Sequence, residues 1–340
     1  MLLMGIGMKY SRHHEPKNYI TRGISLITYG LFVGLVRNAL PNVIAWWATG
    51  NQKFISRALL IIAGDIFAFS GIAFFLLALM KKMKLSDSCI LLIGFIMNNA
   101  SLFIFKVMKP PKNYLLSQFL GYFVLTDAES YFPLFSYFFF VAFGYWLGGI
   151  YQRILNKDKF FNLILIICLP SSIIYHYLRS HYEFPFLPQY ITIEQYILIT
   201  GPDAIVSIMT NLTTVAILHK INMLFKGKTP EFITHASPNL NQYYTLGYIF
   251  IIHISTYMQA IGGEDYPSKM KYPTLFNFMI LFCCKIIINM NDKYIHFTIT
   301  TLKNPKRSIV FALIWIMTII TVIYIYPKVE VYANIWNNYL

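Results

Sequence analysis

Charge is scarce in this chain of 340 residues. Only 12% are Asp, Glu, Lys or Arg, about half the share of an ordinary soluble domain. Acidic residues are the scarcest, 14 against 28 Lys and Arg, for a formal net charge of +14. A soluble enzyme of this length needs more charge to face water, so the composition excludes that class. Cysteine is also rare. Cys89, Cys168, Cys283 and Cys284 lie in apolar stretches without metal-ligand spacing, so neither a disulfide framework nor a zinc site is expected. Tandem repeats, low-complexity linkers and loops long enough for a soluble domain are missing, and residues 1–340 read as a single membrane domain. No basic region precedes the first apolar stretch, which argues against a secretory signal.

What the chain has in quantity is apolar surface: 57% hydrophobic and 17% aromatic residues. Such a composition excludes a disordered chain and points to the bilayer as solvent. Open strands cannot satisfy their backbone in lipid, so the apolar windows are read as helices. The expected fold is an all-α, polytopic transmembrane helix bundle of nine spans plus an N-terminal partial helix, Met1 to Met8. The spans are Ile20–Val36, Arg57–Met80, Ser88–Val107, Tyr131–Tyr151, Phe160–Tyr177, Gln195–His219, Leu240–Ile261, Tyr272–Met290 and Ser308–Tyr326. Tyr114–Leu125 is apolar but too short to cross, and reads as an interfacial or re-entrant helix.

Cytoplasmic loops carry excess Lys and Arg. With the loop after the N-terminal stub inside, seventeen basic residues fall inside and ten outside, Arg37 being placed in an outer loop. That assignment puts the C-terminus outside and accounts for the positive charge through topology rather than nucleic acid. The expected location is a bacterial plasma membrane.

Ionisable groups within spans are costly, which makes each a functional candidate. Asp65 stands eight residues into its expected helix and His253 near the middle of another, with Tyr257 one turn away. A histidine there suits acid–base chemistry near neutral pH, or a hydrogen-bonded core position. Asp203, after Gly201-Pro202, reads as the cap of a new helical start. Lys285 reads as snorkelling to the interface, and Asn98 and Asn99 as links between helices. His176, His181 and Glu183 lie on an apparent loop and read better as a substrate vestibule than as a metal site. His13 and His14 read as solvated charge in a basic loop.

Several segments, taken in order, resemble the integral membrane acyltransferases, the group containing the acyltransferase 3 and heparan-glucosaminide N-acetyltransferase-like proteins. Met4-Gly5-Ile6-Gly7-Met8-Lys9-Tyr10-Ser11, followed by Tyr19-Ile20-Thr21-Arg22-Gly23, is similar to the end of that family's second helix and the start of its third. Gly64-Asp65-Ile66 with Gly71-Ile72-Ala73-Phe74-Phe75-Leu76 resembles its Asp-Ile-Leu run. Tyr131-Phe132-Pro133-Leu134 with Gly144-Tyr145-Trp146-Leu147-Gly148 resembles its aromatic-proline entry and G-x-x-x-G span. Tyr243-Tyr244-Thr245-Leu246-Gly247-Tyr248 with His253 resembles a late Ser-Leu-x-x-Tyr-x-x-x-His helix.

The resemblance implies transfer of an acyl group, commonly acetyl, from acetyl-CoA or another acyl-CoA to a saccharide or glycan hydroxyl or amine. Within that reading His253 and Asp65 are the mid-membrane pair in this sequence suited to serve as base and orienting carboxylate, and no metal is expected. Arg12, Lys17, Arg22, Lys81, Lys82 and Lys84 would receive the donor's phosphates, although anionic membrane lipids suit the same residues. The family's first helix, with its early histidine, has no counterpart here. The alternatives are a transporter or flippase for a lipid-linked saccharide, and a non-catalytic relative.

Overall fold

A computed structural model describes residues 1–11, 15–62, 65–108, 111, 113–124, 131–182, 199, 201–224, 239–262, 273–291 and 305–336. Every regular element among them is helical: α1 (Leu2–Tyr10), α2 (Pro16–Gly34), a π turn (Leu35–Ala39), α3 (Leu40–Thr49), α4 (Gln52–Ala58), a 3-10 turn (Leu59–Ile62), α5 (Ile66–Lys82), α6 (Asp87–Val107), α7 (Tyr114–Gly121), α8 (Leu134–Tyr151), α9 (Lys157–His181), α10 (Gly201–Leu224), α11 (Leu240–Gly262), α12 (Pro273–Met290) and α13 (Pro305–Trp336).

Seven stretches among the described residues are long and apolar enough to cross a bilayer, and each overlaps an expected span: Pro16–Thr49, Gln52–Lys82, Asp87–Val107, Leu134–Tyr151, Lys157–His181, Gly201–Leu224 and Ser308–Pro327. The two other expected spans are helices too. They are α11, with 23 residues, and α12, whose apolar part is Asn277–Met290. The chain is thus an all-α integral membrane protein. Large apolar side chains such as Leu92, Ile96 and Phe103 on α6 and Ile166 and Ile173 on α9 face outward, as lipid solvation requires. The segment from Tyr114 forms an eight-residue helix, too short to span.

Three expectations are corrected. The first helical stretch does not stop at Val36. It continues through the π turn to Thr49, so Arg37 lies inside a helix and is buried. The stretch beginning near Arg57 is not one uninterrupted helix. The 3-10 turn Leu59–Ile62 ends its first part, and Asp65 takes the extended N-cap position of α5 (φ −91°, ψ 162°). His176 and His181 belong to α9 rather than to a loop. Glu183, His13 and His14 lie outside the described residues.

The helices group into two compact units, one of Met1–Ile24 with Gly64–Thr229, the other of Ser25–Ala63 with Pro230–Leu340. In the first, α8 is central: 61% of its span is buried, against 22% for α6 and α9. Glycines set its spacing. A Cβ on Gly5 would overlap the Val141 carbonyl oxygen, and one on Gly144 the Leu2 carbonyl oxygen, so α1 and α8 touch backbone to backbone, as small residues permit in membranes. Asn98 of α6, fully buried, donates to Ser136 O (2.6 Å) and Ile199 O (2.9 Å) and accepts from Gly201 N–H (2.9 Å). It therefore ties α6 to α8 and to the start of α10, the linking role expected of it. Asn99 instead donates to Phe95 O in its own helix. Asp203, expected as a cap, lies inside the first turn of α10, where it accepts from Tyr175 Oη (2.6 Å) and pairs with Arg179 (3.7 Å), holding α10 to α9.

In the second unit α3 packs on α4 and α11, and α11 on α12. A Cβ on Gly34 would come within 2.8 Å of Ile61 O, so only glycine lets the helix entering the π turn approach the 3-10 turn this closely. The two interruptions are joined by Asn38, whose amide donates to Leu60 O at 2.9 Å.

Candidate functional site

The second unit's polar centre is built on a proline. In a regular helix Val36 O would accept from Leu40 N–H, but Leu40 N–H goes to Leu35 O in the widened turn. The next residue in the π register is Pro41, which has no N–H. Val36 O is thereby left without a main-chain donor, and His253 supplies one: its Nε2 lies 2.7 Å from that oxygen. A carbonyl only accepts, so Nε2 carries the proton and Nδ1 presents its lone pair. Among the described residues Nδ1 has no hydrogen-bond partner.

Arg37 follows Val36 directly. It is buried, its guanidinium lies 4.7 Å from the centre of the Tyr248 ring, and its Nε donates to Asn38 Oδ1 at 3.3 Å. Asn42 holds the same turn by donating to Asn38 O at 2.8 Å. Tyr257 stands edge-on to His253 with ring centres 5.8 Å apart. Tyr29 Oη donates to Thr245 (2.8 Å) and the Trp315 indole to Thr28 (3.0 Å). This seam therefore combines a positioned imidazole, a buried cation and hydroxyl groups in apolar helices, the ingredients of acid–base and oxyanion chemistry.

Asp65 belongs to the first unit. It is buried at the N-cap of α5, where its side chain does not make the usual bond to the first turn. Tyr122, after α7, lies within its electrostatic reach: burial, reinforced by the Asp65 charge, pushes that phenol up to about 12. His253 and Asp65 thus fall in different units, and the described partner of the imidazole is the Val36 carbonyl.

The basic residues expected to receive the donor are also in the first unit. Lys17, Lys82 and Lys84 are exposed, Lys84 in a left-handed turn (φ 56°) between α5 and α6. Arg22 lies over the Phe74 ring at 5.5 Å, and Lys81 over Tyr145 at 5.0 Å. Arg12 is outside the described residues. Lys9, which the sequence did not single out, joins Lys81 at Tyr145 (4.8 Å) and pairs with Asp87 at 2.5 Å.

Arg37 and Pro41 were the missed residues of the His253 site. Their signal was present: a proline only five residues beyond the expected end of an apolar run marks either a boundary or a distorted helix. Among the described residues no group of His, Cys, Asp and Glu is arranged to hold a metal ion. No family model, no curated protein and no solved structure matches the chain.

Proposed function

We propose that this protein is a membrane acyltransferase that moves an acyl group, acetyl in the simplest case, from acyl-CoA to a saccharide or glycan hydroxyl or amine. The observation that carries this reading is the His253 imidazole held by Nε2 on the Val36 carbonyl, with Nδ1 left to act as a base. Nδ1 takes the proton of the acceptor hydroxyl while its oxygen attacks the thioester carbonyl carbon. The C–O bond forms, the C–S bond breaks, and the proton passes to the leaving thiolate, giving an ester and free CoA. Arg37 stabilises the oxyanion of the tetrahedral intermediate. The cations Arg12, Lys17, Arg22, Lys81, Lys82 and Lys84 receive the donor's phosphates, and Asp65 assists in acceptor binding or proton handling.

The test follows labelled acetyl from acetyl-CoA into glycans of membranes containing the full chain. Incorporation is expected, falling at least about 100-fold in His253→Gln, whose amide N–H can keep the Val36 bond but cannot act as a base. No incorporation by the unaltered chain, or undiminished incorporation by His253→Gln, overturns the reading.

A second reading, a transporter or flippase for a lipid-linked saccharide, is favoured by one observation. Two interrupted helices meet where Asn38 bonds Leu60 O, and broken helices are where many transporters bind substrate. Movement of a lipid-linked saccharide across vesicles without acyl-CoA would support it over acyl transfer.

A further inference from the structure

We infer that a cavity on the lipid-facing side of α10 is a binding site for a neutral lipid that carries a free hydroxyl group. The cavity, about 410 Å³ in volume, lies within the first unit, between the start of α1, α8 and α10. That size is usual for small-molecule sites. Three polar side chains of α10 line it, Ser207, Asn211 and Thr214. Separated by four and three residues, they share one helix face and extend over about 10 Å of its axis. Asn211 stands at the middle of this 24-residue span and is exposed, as is Thr214. An amide and a hydroxyl thus face the hydrocarbon core, where polar groups are costly. Pairing with α9 does not account for them, because that contact is made by Thr210, whose hydroxyl lies 3.4 Å from Ser172 Oγ.

Hydrogen bonding within the helix defines what the cavity can take. Asn211 Nδ2 donates to Ser207 O (2.7 Å) and the Thr214 hydroxyl to Thr210 O (3.0 Å). Asn211 Oδ1 and the lone pairs of Thr214 Oγ1 remain as acceptors, and the Ser207 hydroxyl, without a hydrogen bond among the described residues, can donate or accept. A ligand hydroxyl, which also does both, satisfies this set. A phosphate only accepts, so it would leave Asn211 Oδ1 and Thr214 Oγ1 facing further acceptors. An ammonium would be an unpaired charge, since among the described residues no charged side chain lines the cavity. The rest of the lining is apolar or aromatic, including Tyr137, Phe140 and the exposed Leu218. The ligand therefore joins a hydroxyl to a hydrocarbon body, as a diacylglycerol does, and enters from the bilayer past Leu218 and Thr214. The cavity shares no residue with the His253 seam and does not rest on the acyl-transfer reading.

The experiment measures binding of labelled dioleoylglycerol to the purified full chain in neutral detergent, without acyl-CoA. The competitors are its O-methyl ether, which can accept but not donate, and dioleoyl phosphatidic acid. The unaltered chain is expected to prefer the free hydroxyl to the ether about tenfold, and to bind phosphatidic acid more weakly. Asn211→Leu and Thr214→Val are each expected to weaken dioleoylglycerol binding about five- to tenfold and to leave binding of the ether unchanged. Thermal stability without lipid should stay the same or rise, since neither side chain is bonded to another helix. Thr210→Val, on the α9 side, should bind the lipid normally. The proposal is overturned if dioleoylglycerol does not bind or binds no better than its ether, if phosphatidic acid binds better, or if Asn211→Leu and Thr214→Val both bind as the unaltered chain does. It is also overturned if either variant turns a dimer into a monomer, which would make this face an interface between copies. The comparison of lipids on the unaltered chain keeps the test decisive should a variant fail to fold. Acetyl transfer plays no part in the readout, so failure of the enzymatic reading leaves this site standing.

Discussion

The imidazole of His253 takes the place of the backbone N–H that Pro41 cannot offer to the Val36 carbonyl. One side chain thereby repairs a helix 217 residues away in sequence and has its own tautomer fixed by the repair. Restoring the missing donor should expose the dependence. His253→Ala is expected to destabilise the protein by about 1–2 kcal/mol, the cost of orphaning a partly buried acceptor. In the Pro41→Ala background the same change should cost distinctly less, because the new N–H can serve Val36 O. Thermal unfolding of the four proteins in a double-mutant cycle measures the coupling. Acetyl transfer should remain lost in the double variant, since restored stability does not restore a base.

Asn98 spends both ends of its amide on three backbone groups. Asn98→Leu strands two carbonyl oxygens and one N–H in an apolar interior. A loss of about 2–5 kcal/mol is expected, read as a lower unfolding temperature in detergent. Asn99→Leu, which releases only a bond within its own helix, should change it little.

Gly144 and Gly7 provide a matched pair. Gly144→Ala drives a methyl into the Leu2 carbonyl and is expected to cost about 1–3 kcal/mol through forced separation of α1 from α8. Gly7→Ala meets nothing within 4 Å and should be neutral or stabilising through helix propensity. Unfolding temperatures, with protease sensitivity of α1, separate the two outcomes.

Tyr122 makes stability depend on alkaline pH. Its phenol ionises near 10 when unfolded and at about 12 in the fold. Above pH 10 the unfolded chain therefore loses the proton first and gains stability relative to the fold. The contribution is complete below pH 10 and declines as pH rises through 12. Tyr122→Phe is expected to flatten the fall in unfolding temperature between these limits, and an identical slope in both proteins would refute the assignment.

The helices themselves were legible because each is a long apolar run, and a bilayer offers the backbone no alternative. Tyr114–Gly121 was legible as non-spanning from length alone. Where the reading erred, apolar character continued while geometry changed. Arg37 was placed outside because the apolar window ends at Val36, yet the π turn carries the helix past it, and the Tyr248 ring helps to bury the guanidinium. Asp65 was read as mid-helix because Leu59–Ile62 is as apolar as its neighbours, and a 3-10 turn has no compositional mark there. The Asp203–Arg179 pair joins helices whose proximity nothing in the local sequence announces.

Solvent and fold class follow from composition and run length, because transfer of side chains from water to lipid does not depend on which helices are neighbours. Packing supplied what composition does not show: that Pro41 leaves an acceptor for His253, and that Lys9 and Lys81 both lie over the Tyr145 ring. Those relationships act over a few ångströms between residues distant along the chain. Their strength comes from directional bonds and burial, which exist only once the helices have packed.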